Sequence, residues 1–159
     1  MLIYVLILQA AMTLPYYFEA IHCTFDSNWL GHMSLFQPSW CICQRCREML
    51  TLVEKKCCNQ QPEMCISRLP HMDLYILQKG VLRLARMMWN ELRAVADLPD
   101  PGEDNRQFRH AAYRQFVAWQ YGVLGSGHRV VIPSCCLWRI RDCFPDPHGQ
   151  YRGFIPRRV

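Results

Sequence analysis

Apolar and polar positions follow different rhythms in different parts of this chain. From His71 to about Ala96, the residues Leu74, Leu77, Val81, Leu84, Met88, Leu92 and Val95 recur at three- and four-residue spacing. That is one apolar face of a long helix. Gly80 weakens it slightly, and Pro99, Pro101 and Gly102 end it. A second helix is predicted from about Asn105 to Tyr121. Asp104 is placed as its N-cap, Gln107 follows three residues later as in a capping box, and Gly122 stops it. The sequence GSG at 125–127 reads as a turn and RVVI at 129–132 as a short strand. A third helix is expected to start at Pro133-Ser134, with Ser134 as N-cap and Trp138 and Ile140 inside it. Residues from Phe144 onward are rich in Pro and Gly and read as an irregular strap. Residues 38–68 show little helical period and read as loops and short turns, held by something other than a core.

The first segment is of another kind. Leu2 to Leu8 is an uninterrupted apolar run followed by Ala10 and Ala11. Its length suits a signal-peptide core, but no Lys or Arg precedes it. It is short of the ~20 residues that span a bilayer. It reads as a poor signal peptide, an interfacial apolar tail or an ill-ordered extension. Charge sharpens the division: all 18 Lys and Arg lie between Arg45 and Arg158, whereas residues 1–37 carry only Glu19 and Asp26. We place a boundary at about Pro38, giving an apolar extension over 1–37 and a single domain over 38–156. Half of the chain is apolar (51%) and 19% is charged, which argues for a packed core.

Cysteine changes the picture most. Ten cysteines in 159 residues imply either a disulfide scaffold or a metal binder. Cys41, Cys43 and Cys46 form CxCxxC. Cys57 and Cys58 are adjacent, with Cys65 after them, and Cys135 and Cys136 form a distant pair. Cys23 and Cys143 stand apart. Near neighbours such as Cys41 and Cys43 make strained disulfides, whereas tetrahedral zinc takes four thiolates and C-x-x-C supplies two of them. Eight clustered thiols fit two zinc ions, four ligands each, with none shared. Cys135 and Cys136 fall in the first turn of the third helix, where the helix dipole favours thiolate. A secreted disulfide framework is the competing reading of the same spacing.

A second candidate lies on the second helix. Arg106, Arg109, His110, Tyr113 and Arg114 fan over one arc, while Phe108, Ala111, Ala112, Ala118 and Trp119 take the other. The basic arc suits phosphate contacts with a stacked base. Its bland reading is a solvated basic face. Arg139 and Arg141 point in different directions and make no single pocket. Catalytic patterns are missing: there is no phosphate-binding GxxxxGK[ST] loop, and PSCC at 133–136 lacks the PCxxC and HxE of zinc deaminases. Thiolate-rich sites without an open position are structural rather than catalytic. The chain is therefore expected not to be an enzyme.

Several blocks in order carry a resemblance. PSWCICQRC (38–46), KKCC (55–58), CIS (65–67), FRHAAYRQF (108–116), VIPSCCLWRIRDCFP (131–145) and GQYRGF (149–154) resemble the cysteine-rich cytoplasmic "ballast" tail of the ATP-gated ionotropic purinoceptors of subtype seven. The match runs from Pro38 to about Phe154. It implies a cytoplasmic, mainly α domain with short β and irregular zinc-held segments. Its dinuclear zinc centre would be held by Cys41, Cys43, Cys46, Cys57, Cys58, Cys65, Cys135 and Cys136. It also implies a guanine-nucleotide site at Arg109, His110 and Tyr113. Two positions depart from the family: Leu137 and Asp146 stand where the tail has basic residues. The sequence includes no pair of ~20-residue apolar spans, so the domain is read as a free-standing version of the tail. The function expected is a non-catalytic zinc-binding regulatory or interaction module with an unidentified protein partner. The alternative is a zinc-dependent nucleic-acid-binding domain, which the net +7 after residue 37 (18 basic against 11 acidic groups) would suit.

Overall fold

Three helices and a set of single turns make up the described part of the chain, and each helix end has a local cause. The computed structural model describes residues 37–91, 104–125 and 128–156, apart from the side chains of residues 90 and 91. The apolar run at 2–8, Cys23 and the proline stop at 99–102 lie outside the described residues. The described residues belong to one unit, Met33–Val159.

The long helix expected from His71 is interrupted. A π-type turn covers Met72–Leu77, and Gln78 then adopts an extended conformation (ψ 113°). The helix proper, α1, is Lys79–Glu91. Starting there puts Gly80 in the first turn, where a flexible residue costs less than in a helix interior. The break lets Met72, Ile76 and Leu77 from the turn and Leu82 and Ala85 from α1 enter one core.

Helix α2, Asn105–Tyr121, has the predicted ends. The Asp104 side chain accepts from the Gln107 amide at 2.7 Å. Gly122, at φ 71°, donates its amide to Ala118 O. Phe108, Ala111 and Ala112 face the core, as the apolar arc predicts, together with Phe116 from outside that arc, while Ala118 and Trp119 are half-buried. Phe108 stacks on Phe144 with ring centroids 5.5 Å apart.

Helix α3 is Ser134–Cys143, one residue offset from expectation: Pro133 is the N-cap and Ser134 is the first helical residue. The Ser134 hydroxyl is used elsewhere. It donates to Arg47 O at 2.7 Å and accepts from Arg47 N at 3.1 Å.

The short β element expected at 129–132 is not formed, and no residue among those described is in a strand. Ile132 is buried, and the residues on either side have non-strand partners. Arg129 reaches Ile155 O at 3.0 Å, and the Ser134 amide donates to Lys56 O at 2.8 Å. The β-branched run has no ladder among the described residues. The fold is thus mainly helical, with turns at Leu52–Glu54, Pro62–Met64 and Ile66–Arg68 in the cysteine-rich stretch. Helix α3 packs on α2 and on the Ile66–Arg68 turn, and α1 and α2 pack on each other and on the π-type turn.

Candidate metal centre

The three cysteine groups of the sequence meet at one place. Cys41, Cys43, Cys46, Cys57, Cys58, Cys65, Cys135 and Cys136 are free thiols. Two sets of four have their sulfurs mutually within 4.8 Å: Cys41, Cys43, Cys46 and Cys57, and Cys43, Cys58, Cys65 and Cys135. Cys43 belongs to both. Neighbouring sulfurs lie 3.8 Å apart in the pairs Cys41–Cys43, Cys43–Cys46 and Cys58–Cys65. Four thiolates at ~2.3 Å around a tetrahedral ion have sulfurs about 3.8 Å apart, so this spacing is that of a metal cage. Either set could hold a metal ion. Cys136 belongs to neither set, although its sulfur is 3.8 Å from that of Cys135. Cys143 is also outside both.

Backbone amides prepare the donors. The Cys46 amide points at Cys41 Sγ (3.3 Å), and those of Cys43 and Asn59 point at Cys57 Sγ (3.5 and 3.4 Å). Asn59 and Gln44 reach these positions with φ of 58° and 57°, in the left-handed region. Burial works against the Cys57 thiolate, but the amides of Cys43, Asn59 and Ile42 overcome it and bring its pKa to about 7. Cys135 is held far below the usual thiol range by hydrogen bonds from Cys136, Cys46 and Cys65, despite burial. Cys136 moves the opposite way, because the Cys135 thiolate beside it and its own burial favour the neutral thiol. Neighbouring thiols, rather than the helix dipole of the expectation, thus set Cys135 and Cys136 apart. Cys46 and Cys65 are raised, first by Cys135 and then by burial. Burial, with Cys135 behind it, raises Cys43. This many thiols ionise together only if a cation is added, which is the chemistry of a metal-thiolate site.

Helix α3 is fastened over the cysteine loops. Ser134, fully buried, binds Arg47 on one loop and Lys56 on the other. The Arg47 guanidinium grips both oxygens of Asp142 and lies 4.9 Å from the Trp138 ring. Sequence reasoning placed Cys135 at the cluster but missed Ser134 as the fastener, since a serine at a helix start reads as a cap.

The second candidate is divided between surface and interior. Arg109 is 6% exposed. It donates to Phe144 O at 2.8 Å and to Asp146 at 3.0 Å. Asp146 also accepts from the amides of His148 and Gln150. Those amides, first that of His148, outweigh desolvation and with Arg109 hold its carboxyl below the usual range. His110 stays at the surface, its pKa lowered by partial burial and by Arg106 and Arg109. Burial raises the Tyr113 phenol, against the pull of Arg141. Arg141 itself is buried between Tyr151 (4.6 Å) and Trp138 (5.0 Å), while Arg139 pairs with Asp73. Of the basic arc, Arg106, His110 and Arg114 are at the surface and Tyr113 is half-buried, while Arg109 is turned inward.

Helical packing around free thiols grouped in metal-binding fours defines a cysteine-rich, metal-competent helical domain. The family model of the P2X purinoreceptor 7 intracellular domain matches residues 16–155, and this chain belongs to that family. P2X purinoceptor 7 of Mus musculus is 34% identical over 124 residues, and that of Rattus norvegicus 32% over 123, covering 74% of this chain in each case. The chain spans 20% of the length of these curated relatives. The family is that of an intracellular domain, in agreement with the cytoplasmic placement expected from the resemblance. Among the described residues no helix is long and apolar enough to cross a membrane.

Proposed function

We infer that the chain is a non-catalytic regulatory or interaction module whose fold is held by a dinuclear zinc-thiolate centre bridged by Cys43. The observation that carries this is the pair of four-thiol groups with one common member. Zinc suits an all-sulfur tetrahedral site better than a hard cation does. One ion would sit among Cys41, Cys43, Cys46 and Cys57, the other among Cys43, Cys58, Cys65 and Cys135. Seven sulfurs then serve two ions, in place of the eight unshared ligands expected from spacing. Cys136 becomes a packed neighbour of a ligand. A site closed by four thiolates leaves no place for a reacting water, which supports a structural role. The surface organised around the centre would meet a protein partner.

A guanine nucleotide at Arg109, His110 and Tyr113 is not part of this reading, because a phosphate would have to displace Asp146 and Phe144 O from Arg109. Nucleic-acid binding is set aside for a similar reason, as Arg47, Arg109 and Arg139 already pair with acids.

Metal content and free-thiol count on protein purified without chelator test the proposal. About two zinc ions per chain, with thiols that react only after chelation, is the expected result. Metal-free protein with all eight thiols reactive would overturn it.

A further inference from the structure

One end of the domain exposes aliphatic side chains from three separate segments. Leu50 is 93% exposed, Leu52 84% and Val53 62%, all on the loop between the first two cysteine groups. Tyr121 and Val123 at the end of α2 are exposed as well, Val123 at 94%, and so is Ile155 in the terminal strap. Specific bonds bring the segments together. The buried Glu54 carboxylate accepts from Thr51 Oγ1 at 2.7 Å and from the Phe154 amide at 2.8 Å, which sets Ile155 beside the loop. Lys56 donates to Tyr121 Oη at 3.4 Å, which brings in the end of α2. The Leu52–Glu54 turn is closed by amide bonds from Glu54 to Thr51 O and from Lys55 to Leu52 O. The leucines are therefore held outward by a braced turn.

The charges at this end that form no ion pair among the described residues are basic. Lys56, Arg129 and Arg152 form no ion pair with a carboxylate among the described residues, and Arg129 binds only the Ile155 carbonyl. The nearby acids are occupied: Glu48 pairs with Lys55, and Glu54 is buried under its two donors. Apolar patches of this kind mark contact surfaces. Protein hot spots favour Trp, Tyr and Arg set in matched pockets. Here the exposed side chains are mainly Leu, Val and Ile, which a fluid acyl region accepts without shape matching. A rim of cations adds attraction to anionic headgroups, and tyrosine suits the interfacial level.

We propose that this end of the domain docks on an anionic lipid bilayer, inserting Leu50, Leu52 and Val53 at the headgroup boundary while Lys56, Arg129 and Arg152 face lipid phosphates. The reading does not depend on which metal the thiols hold.

The test uses the full chain and vesicles of phosphatidylcholine with about one-third phosphatidylserine. Flotation should recover the protein with these vesicles, and less of it with phosphatidylcholine alone. The double variant Leu50→Ser, Leu52→Ser should bind about tenfold or more weakly, with unchanged melting because both side chains are exposed. Lys56→Glu with Arg152→Glu should remove the preference for phosphatidylserine. Leu52→Trp should add fluorescence that brominated acyl chains quench. Failure of the wild-type chain to bind vesicles, or equal binding by the double leucine variant, overturns the proposal. Self-association that the leucine variant abolishes would also overturn it, by making this face a contact between copies.

Discussion

The cysteine loops and the helical body solve the same problem with different materials. Between Met72 and Phe144 the core is built from Met72, Ile76, Leu82, Phe116, Ile140 and Phe144, each fully buried. At ~25 cal/mol per Å2 of apolar surface, side chains of this size give the helices ample reason to pack. Between Cys41 and Cys65 the buried apolar residues are cysteines and Met49, while Leu50, Leu52, Val53 and Met64 stay in water. A stretch that buries so little beyond sulfur lacks the area to offset its own ordering entropy. It needs a directional bond at its centre, which the thiolate-metal bonds of the proposed centre would supply. Helix α3 belongs to both regions, offering Ile140 and Phe144 to the core and Ser134 and Cys135 to the loops.

Breaking the shared sulfur should have the largest effect. Cys43→Ser removes a ligand from both four-thiol groups and should lower bound zinc from about two ions to none, at a cost on the order of 5 kcal/mol or more. Cys136→Ser, outside both groups, should keep the full metal content. Atomic absorption and thermal melting of the pair measure the contrast directly, and equal metal loss in both would refute the bridged arrangement. On the helical side, Phe116→Ala should cost about 3–5 kcal/mol by denaturant unfolding, while zinc, added in excess, still binds. A coupled loss of metal affinity would mean the two regions do not cohere separately. Asp104→Ala should cost about 0.5–2 kcal/mol and fray the start of α2, visible as faster amide exchange at Gln107.

The smallest effect comes from acid. The Asp146 carboxyl is depressed in the folded state, so its contribution is present above the unfolded carboxyl pKa of about 3.9 and is lost as pH falls through its folded value. The Arg109 contact to the strap should loosen only in that low window. Amide resonances of Gln150 and Tyr151 that shift near neutral pH instead would contradict it.

Much of this comparison could be read before any coordinates. Asp104, Gln107 and Gly122 mark the ends of α2 because caps are local chemistry. Seven of the eight clustered cysteines fall in the two four-thiol groups because thiols so closely spaced have few other uses, and Cys136 stays outside both. The remainder depends on distant partners. The run at 129–132 has the composition of a strand, but only the fold decides whether a neighbouring strand exists. Nothing in the spacing of Cys43 says that it lies between two groups. Asp146 reads as a lone acid replacing a family cation, and its pairing with Arg109 becomes visible only when α2 and the strap are in place. Gln78 has no breaker residue to announce the bend before α1, which follows from what Ile76, Leu77 and Leu82 must reach together.

The two thiol groups differ in how much chain must exist before each is complete. The first is assembled from residues 41–57, whereas the second waits for Cys135. On a ribosome adding about 5–20 residues per second, the early group can bind its ion while α2 is still being made. Cys58 and Cys65 then stand exposed, as reduced thiols without their fourth partner, until the end of α3 emerges. With the proposed centre, synthesis would include an interval when a half-built site is open to oxidation or to the wrong metal. That interval closes when Ser134 docks against Arg47, 87 residues back along the chain.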